Sequence, residues 1–174
     1  QATTRARSNT GMAVLIDVGE EADIHPRDKA ATAKRLALLA LSRQYGRTEN
    51  DAGPVLVSMQ FEGPAIRLKF ASTGGELVAR ALPESYQPRS TEPVTRPTPR
   101  HRVKGDLEGF AICGEDRRWV WADEARIEGD CILVRSALVP RPVAVRYAWA
   151  DNPVCNLVGG TGLPAEPFRT DDFP

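Results

Sequence analysis

The sequence predicts an α/β segment followed by a β-sandwich. Three observations carry this. A short, continuously apolar run, Ala13-Val14-Leu15-Ile16, is bounded by Gly11 and Gly19 and precedes an amphipathic stripe. That is the pattern of a strand buried on both faces and then a helix. After Gly46 the pattern changes to short alternating runs separated by Gly-Pro and Gly-Gly punctuation, the signature of an antiparallel β-domain.

Within the α/β segment, Pro26 suits the first helical position, which puts His25 near the N-cap. Asp28 falls in the first turn, where a carboxylate faces the positive end of the helix. Ala33, Leu36, Ala37, Ala40 and Leu41 recur at helical spacing, and Gly46 is a natural stop. The β-domain begins with runs at Val55 to Gln60, Ile66 to Phe70 and Glu76 to Arg80. Ile66, Leu68 and Phe70 share one face, with Arg67 and Lys69 on the other. Residues 82–104 hold Pro83, Pro88, Pro93, Pro97 and Pro99 among polar residues and read as a long loop. Strand signals resume at Gly109 to Cys113, Trp119 to Ile127, Cys131 to Arg135 and Val143 to Trp149, with a hairpin turn at Glu128-Gly129-Asp130. Residues 151–174 have no period and read as an extended tail. The expected organisation is 1–50, 51–150 and 151–174.

Composition narrows the function classes. The chain has 174 residues, with 23 basic and 23 acidic side chains. This balance argues against a nucleic-acid partner held by phosphate neutralisation. No apolar run approaches the ~20 residues of a membrane helix. Cys113, Cys131 and Cys155 are an odd number at wide spacing, which fits neither a zinc site nor a dense disulfide framework. Gly159-Gly160-Thr161-Gly162 is followed by Pro164 and not by a helix pattern, so it is no phosphate loop.

Chemistry concentrates at Asp23-Ile24-His25-Pro26. The loop after a buried strand, at the head of a helix, is where open α/β sheets gather ligands and catalytic groups. Side chains two apart in an extended segment point to one side, so Asp23 and His25 can lie together. A carboxylate on one ring nitrogen fixes the tautomer and stabilises the imidazolium formed when the other nitrogen takes a proton. Spacing alone favours a histidine that merely caps a helix. Trp119 and Trp121 alternate on one strand, which suits either a sandwich core or a sugar platform. His101 and the basic cluster Arg96, Arg100, Arg102 and Lys104 read as a solvated loop, or as an attractor for an acidic sugar.

The run GMAVLIDVGEEADIHPRDKAATAKRLALLAL resembles the closing part of the esterase domain in the sialate O-acetylesterase family, SGNH-class carbohydrate esterases. The ending PVAVRYAWADNPVCNLVGGTGLPAEPFRTDDFP is similar to that family's characteristic C-terminus, and GFAICGEDRRWVWADEARIEGDCILVRS to its late β-domain. The resemblance covers nearly the whole chain, in the family's order. It implies that residues 1–50 hold the last strand and helix of an SGNH esterase domain. It implies His25 as general base and Asp23 as its orienting acid in a Ser-His-Asp triad. The wider class uses D-x-x-H where this chain has D-x-H, which leaves Asp17 as the other acid available. The family's GQSN-type nucleophile motif does not occur. Ser8-Asn9 lacks the preceding Gly-Gln, and Ser42, Ser58, Ser72, Ser85, Ser90 and Ser136 have no motif context.

The expectation is therefore the base-bearing C-terminal part of a sugar O-acetylesterase, inactive alone, whose serine lies in an N-terminal part of the same protein. The implied substrate is an O-acetylated sugar, with acetylated xylan-type polysaccharide as the alternative. No cofactor or metal is implied, and no membrane partner. Family relatives are often exported or lysosomal, and by that analogy the expected compartment is periplasmic or extracellular. The rival expectation is a non-catalytic structural or carbohydrate-binding β-module.

Overall fold

The computed structural model describes residues 7–19, 23–25, 27–71, 73–82, 107–150 and 153–173. It is β-rich, with a single α-helix among the described residues. Helix α1 spans Lys29–Arg43. Its N-cap is Asp28, whose carboxylate accepts from Ala31 N–H at 2.9 Å. The cap expected at His25 thus falls three residues later. The reason is local: an Asp side chain reaches the orphan amides of the first turn, which an imidazole two residues ahead of Arg27 does not do here. Past the helix, Gly46 adopts φ 65°, and Arg47 N–H bonds back to Leu41 C=O at 3.0 Å.

The apolar run 13–16 forms no strand. A strand exists only where a neighbour completes its ladder, and no described strand pairs with it. The segment ends in a turn at Ile16 and Asp17, where Val18 N–H donates to Leu15 C=O at 3.2 Å.

The alternating runs do become strands. β1 (Val55–Glu62), β2 (Ala65–Ala71), β7 (Cys131–Arg135) and β6 (Glu124–Glu128) form one antiparallel sheet, in the order β1-β2-β7-β6. β10 (Phe168–Arg169), β8 (Ala144–Tyr147), β4 (Phe110–Cys113) and β5 (Val120–Trp121) form a second, in the order β10-β8-β4-β5. A ribbon pairs β3 (Val78–Ala79) with β9 (Leu157–Val158). As the alternation requires, Ile66, Leu68 and Phe70 point inward. They share one core with Ile132 and Val134 of β7, and with Phe110, Ile112, Val145 and Tyr147 of the second sheet. The outer face of the first sheet is charged. Arg67 bonds Glu62 and Glu128, Arg126 pairs with Glu124 and Glu128, and Arg135 pairs with Glu124.

Two elements differ from expectation. The run Trp119 to Ile127 is not one strand. β5 pairs with β4, β6 pairs with β7, and the chain crosses between sheets at Ala122 and Asp123. Asp123 fixes the crossing by accepting from Ser136 Oγ at 2.9 Å and Ala137 N–H at 2.6 Å. The last stretch is woven into the body. It supplies β9, β10 and the buried Cys155, Asn156, Leu157, Val158 and Ala165. Cys113, Cys131 and Cys155 are free thiols.

Candidate active site

The segment leading into α1 carries the predicted pair. His25 Nδ1 lies 3.2 Å from Asp23 Oδ1, and the same oxygen accepts His25 backbone N–H at 2.8 Å. Such a turn, closed by an Asp side chain on the amide two residues on, is what short carboxylates form locally. Both side chains are exposed, His25 at 78% and Asp23 at 48%. The ring is thus held by one nitrogen while Nε2 has no partner among the described residues. That arrangement can take a proton from a hydroxyl brought to Nε2, with the carboxylate stabilising the imidazolium. Pro26 lies outside the described residues.

Asp17 is engaged elsewhere. Its side chain is 2% exposed and is held by two arginines. Arg35 of α1 makes a two-pronged bond to it, Nη1 to Oδ1 at 2.6 Å and Nη2 to Oδ2 at 2.7 Å. Arg80, just past β3, adds Nη2 to Oδ2 at 2.7 Å. Arg35 Nη1 also donates to Val14 C=O at 2.6 Å. Burial works to raise the Asp17 pKa, but the two guanidiniums overcome it and hold the carboxyl below the usual range. Of the two acids weighed for the imidazole, the one in contact with it is Asp23.

Beside residues 12–16 is an open cleft of about 760 Å³, walled by Met12, Leu15, Ile16, Trp149, Pro153 and Pro167. The tryptophans weighed as sugar platforms are placed differently from that cleft. Trp119 packs against the Arg146 guanidinium at 4.1 Å and against Phe173, while Trp121 is half-buried on β5. Trp149, 51% exposed, is the one at the cleft. Arg169 and Asp171, for which the sequence offers no role, form a network with Arg146. Arg146 grips Asp171 with bonds of 2.8 and 2.7 Å, and Arg169 adds a contact at 3.2 Å. His101 and the basic cluster of Arg96, Arg100, Arg102 and Lys104 lie outside the described residues, as do Ser72, Ser85 and Ser90. Of the other serines, Ser136 is buried on Asp123, Ser42 lies in α1 and Ser58 in β1. No group of metal-ligating side chains occurs among the described residues.

Sequence reasoning missed the Asp17 clamp. Its only local signal is an acid at the end of an apolar run, and its two partners lie 18 and 63 residues away.

No protein-family model matches the chain, and no curated protein sequence does. Among solved structures, the chain is similar to a carbohydrate acetylesterase from Xanthomonas citri, with 38% identity and a TM-score of 0.79. The match covers 99% of this chain and 35% of the acetylesterase. The chain thus spans about a third of the length of that enzyme.

Proposed function

We propose that the chain takes part in hydrolysis of acetyl esters on carbohydrates, as the base-bearing part of an SGNH-type esterase. The observation that carries this is the likeness of 99% of the chain, at 38% identity, to a carbohydrate acetylesterase. In this reading residues 1–50 are the last strand and helix of the esterase domain, and the two sheets around one core are its β-sandwich. His25 is the general base and then the acid that releases the sugar alcohol, and Asp23 orients it. The 3.2 Å contact between Asp23 and the ring supports those roles. A serine from an N-terminal part of the same protein attacks the acetyl carbonyl and forms an acetyl-enzyme, which water then hydrolyses. The apolar, ladder-less run 13–16 and the cleft beside it are the surface to which that part would add its sheet. The substrate is an O-acetylated sugar, sialic acid in the family the sequence resembles, with an acetylated xylan-type polymer as the alternative.

The test is p-nitrophenyl acetate hydrolysis by the chain joined to its serine-bearing part, compared with its His25→Ala form. The expected loss is at least about 10³-fold in kcat. Equal rates would remove His25 from the mechanism. Ester hydrolysis by residues 1–174 alone would remove the need for a second part.

A further inference from the structure

We infer that Arg80 is a positioning residue for His25, acting through a buried clamp at Asp17 that ties the His25 loop to the β-rich body. The inference rests on the hydrolase reading for its purpose, but not for its test.

The geometry is a loop closed at its base. Asp17 stands at one end and Arg35, within α1, at the other, and Asp23 and His25 lie on the chain between them. The two-pronged Asp17–Arg35 bond fixes both ends of that loop to one point. Joining the two ends limits how far the segment between them can move from the clamp. Alone, however, this bond would fix the loop only to its own helix.

Arg80 supplies the third attachment, and its own backbone is held on both sides. Arg80 N–H donates to Asn156 C=O at 2.9 Å, and Arg80 C=O accepts from Asn156 Nδ2 at 2.9 Å. Asn156 is buried, and its Oδ1 accepts from Glu108 N–H at 2.8 Å. β3, which ends at Ala79, is paired with β9. The guanidinium therefore reaches Asp17 from a rigid base in the body. Asp17, with its side chain 2% exposed, is a carboxylate that stays buried only while it is paired. The arrangement is economical: one carboxylate joins the segment before the loop, the helix after it and the β-rich body.

The consequence is specific. Without Arg80, Arg35 still neutralises Asp17 and α1 still forms, but the charged tie from Asp17 to the body is lost, and the packing of Ile16 on the core is what remains beside it. His25 then samples positions in which its free nitrogen misses a partner hydroxyl. A displacement of about 1 Å at a reacting group can cost about 100-fold in rate.

The test is backbone ¹⁵N relaxation on residues 1–174, comparing the native chain with Arg80→Ala and Arg80→Lys. The order parameters of the Ile24 and His25 amides should fall from about 0.85 to below about 0.6 in Arg80→Ala. The amides of β2, β4 and β7 should stay unchanged. Arg80→Lys, which keeps a cation in reach of Asp17, should restore most of the order. Unchanged order at residues 24 and 25 in a folded Arg80→Ala chain would overturn the inference. If the alanine form does not fold, Arg80→Gln takes its place with the same two outcomes. Loss of the whole fold in both forms would also overturn it, because Arg80 would then be a stabiliser of the entire body. None of these readings needs turnover, so an inactive ester assay sinks the hydrolase reading and leaves this one standing. Where turnover is present, Arg80→Ala should lower kcat about tenfold or more at constant KM.

Discussion

At the scale of single residues, the most heavily committed group is Asp171. Its side chain is fully buried, and it holds Arg146, which in turn packs on Trp119. Arg146 above all, and then Arg169, keep the Asp171 carboxyl below the usual range in spite of burial. A depressed folded-state value means the contribution to stability is complete above the unfolded value of about 3.9 and fades as pH falls through the lower folded one. Asp171→Ala leaves the Arg146 guanidinium without its carboxylate, while Arg169 keeps its bonds to the backbone carbonyls of Asp171 and Phe173. It should cost about 3 kcal/mol at pH 7, or roughly 10 °C in Tm by thermal denaturation. The gap between variant and native chain should shrink as the melts are repeated toward pH 3. The thiols make a second residue-level case. Burial pushes Cys113 and Cys155 each up to about 11, and it also raises the half-buried Cys131. Thiolate is the reactive form, so iodoacetamide at pH 7.5 should leave Cys113 and Cys155 unlabelled in the native chain. On raising the pH, Cys131 should react first because it is the least covered. Early labelling of Cys155, seen by mass spectrometry, would show that its pocket opens.

At the scale of elements, two glycine-bearing turns interlock, and this explains the otherwise featureless Gly159-Gly160-Thr161-Gly162. A Cβ on Gly159 would lie 2.1 Å from Thr73 C=O, and one on Gly53 would lie 1.9 Å from Pro164 C=O. Gly160 N–H bonds Thr73 C=O at 2.8 Å across the same contact. Both obstacles are backbone, so they cannot swing away. Gly159→Ala should destabilise by about 2–3 kcal/mol, measured by urea unfolding. Gly129, at φ 65° in the β6–β7 hairpin, meets nothing within 4 Å. Gly129→Asn should therefore stay within about 1 kcal/mol of the native chain. The hairpin was legible in the sequence, as were β1, β2, β4, β7 and β8, because period-two alternation bounded by turn residues is a local signal. The crossing between β5 and β6 was not legible, since Asp123 needs Ser136 and Ala137 from a distant turn to make it. The run 13–16 reads as a strand from its residues, yet a ladder is a property of two segments and the sequence window shows one. β9 and β10 are each two residues long, too short to carry a period.

At the scale of the whole molecule, the candidate site divides along the same line. The Asp23–His25 contact follows from a spacing of two residues and was readable as such. The clamp behind it joins Asp17 to Arg35 and Arg80 across 18 and 63 positions, and nothing in local pattern selects those arginines from the others. The same long reach governs how the body closes. Tyr147, wholly buried, accepts Leu157 N–H at 3.0 Å and stacks with Phe168 at 5.7 Å, while Val145 C=O takes Thr170 N–H at 3.0 Å. β8 is therefore finished by residues made after it. A nascent polypeptide grows at roughly 5–20 residues per second, so for a second or more the second sheet exists with one flank bare. During that interval the tyrosine ring and its neighbours are open to whatever binds apolar side chains at the ribosome exit. Residues 157–170 act as the latch that ends this exposure.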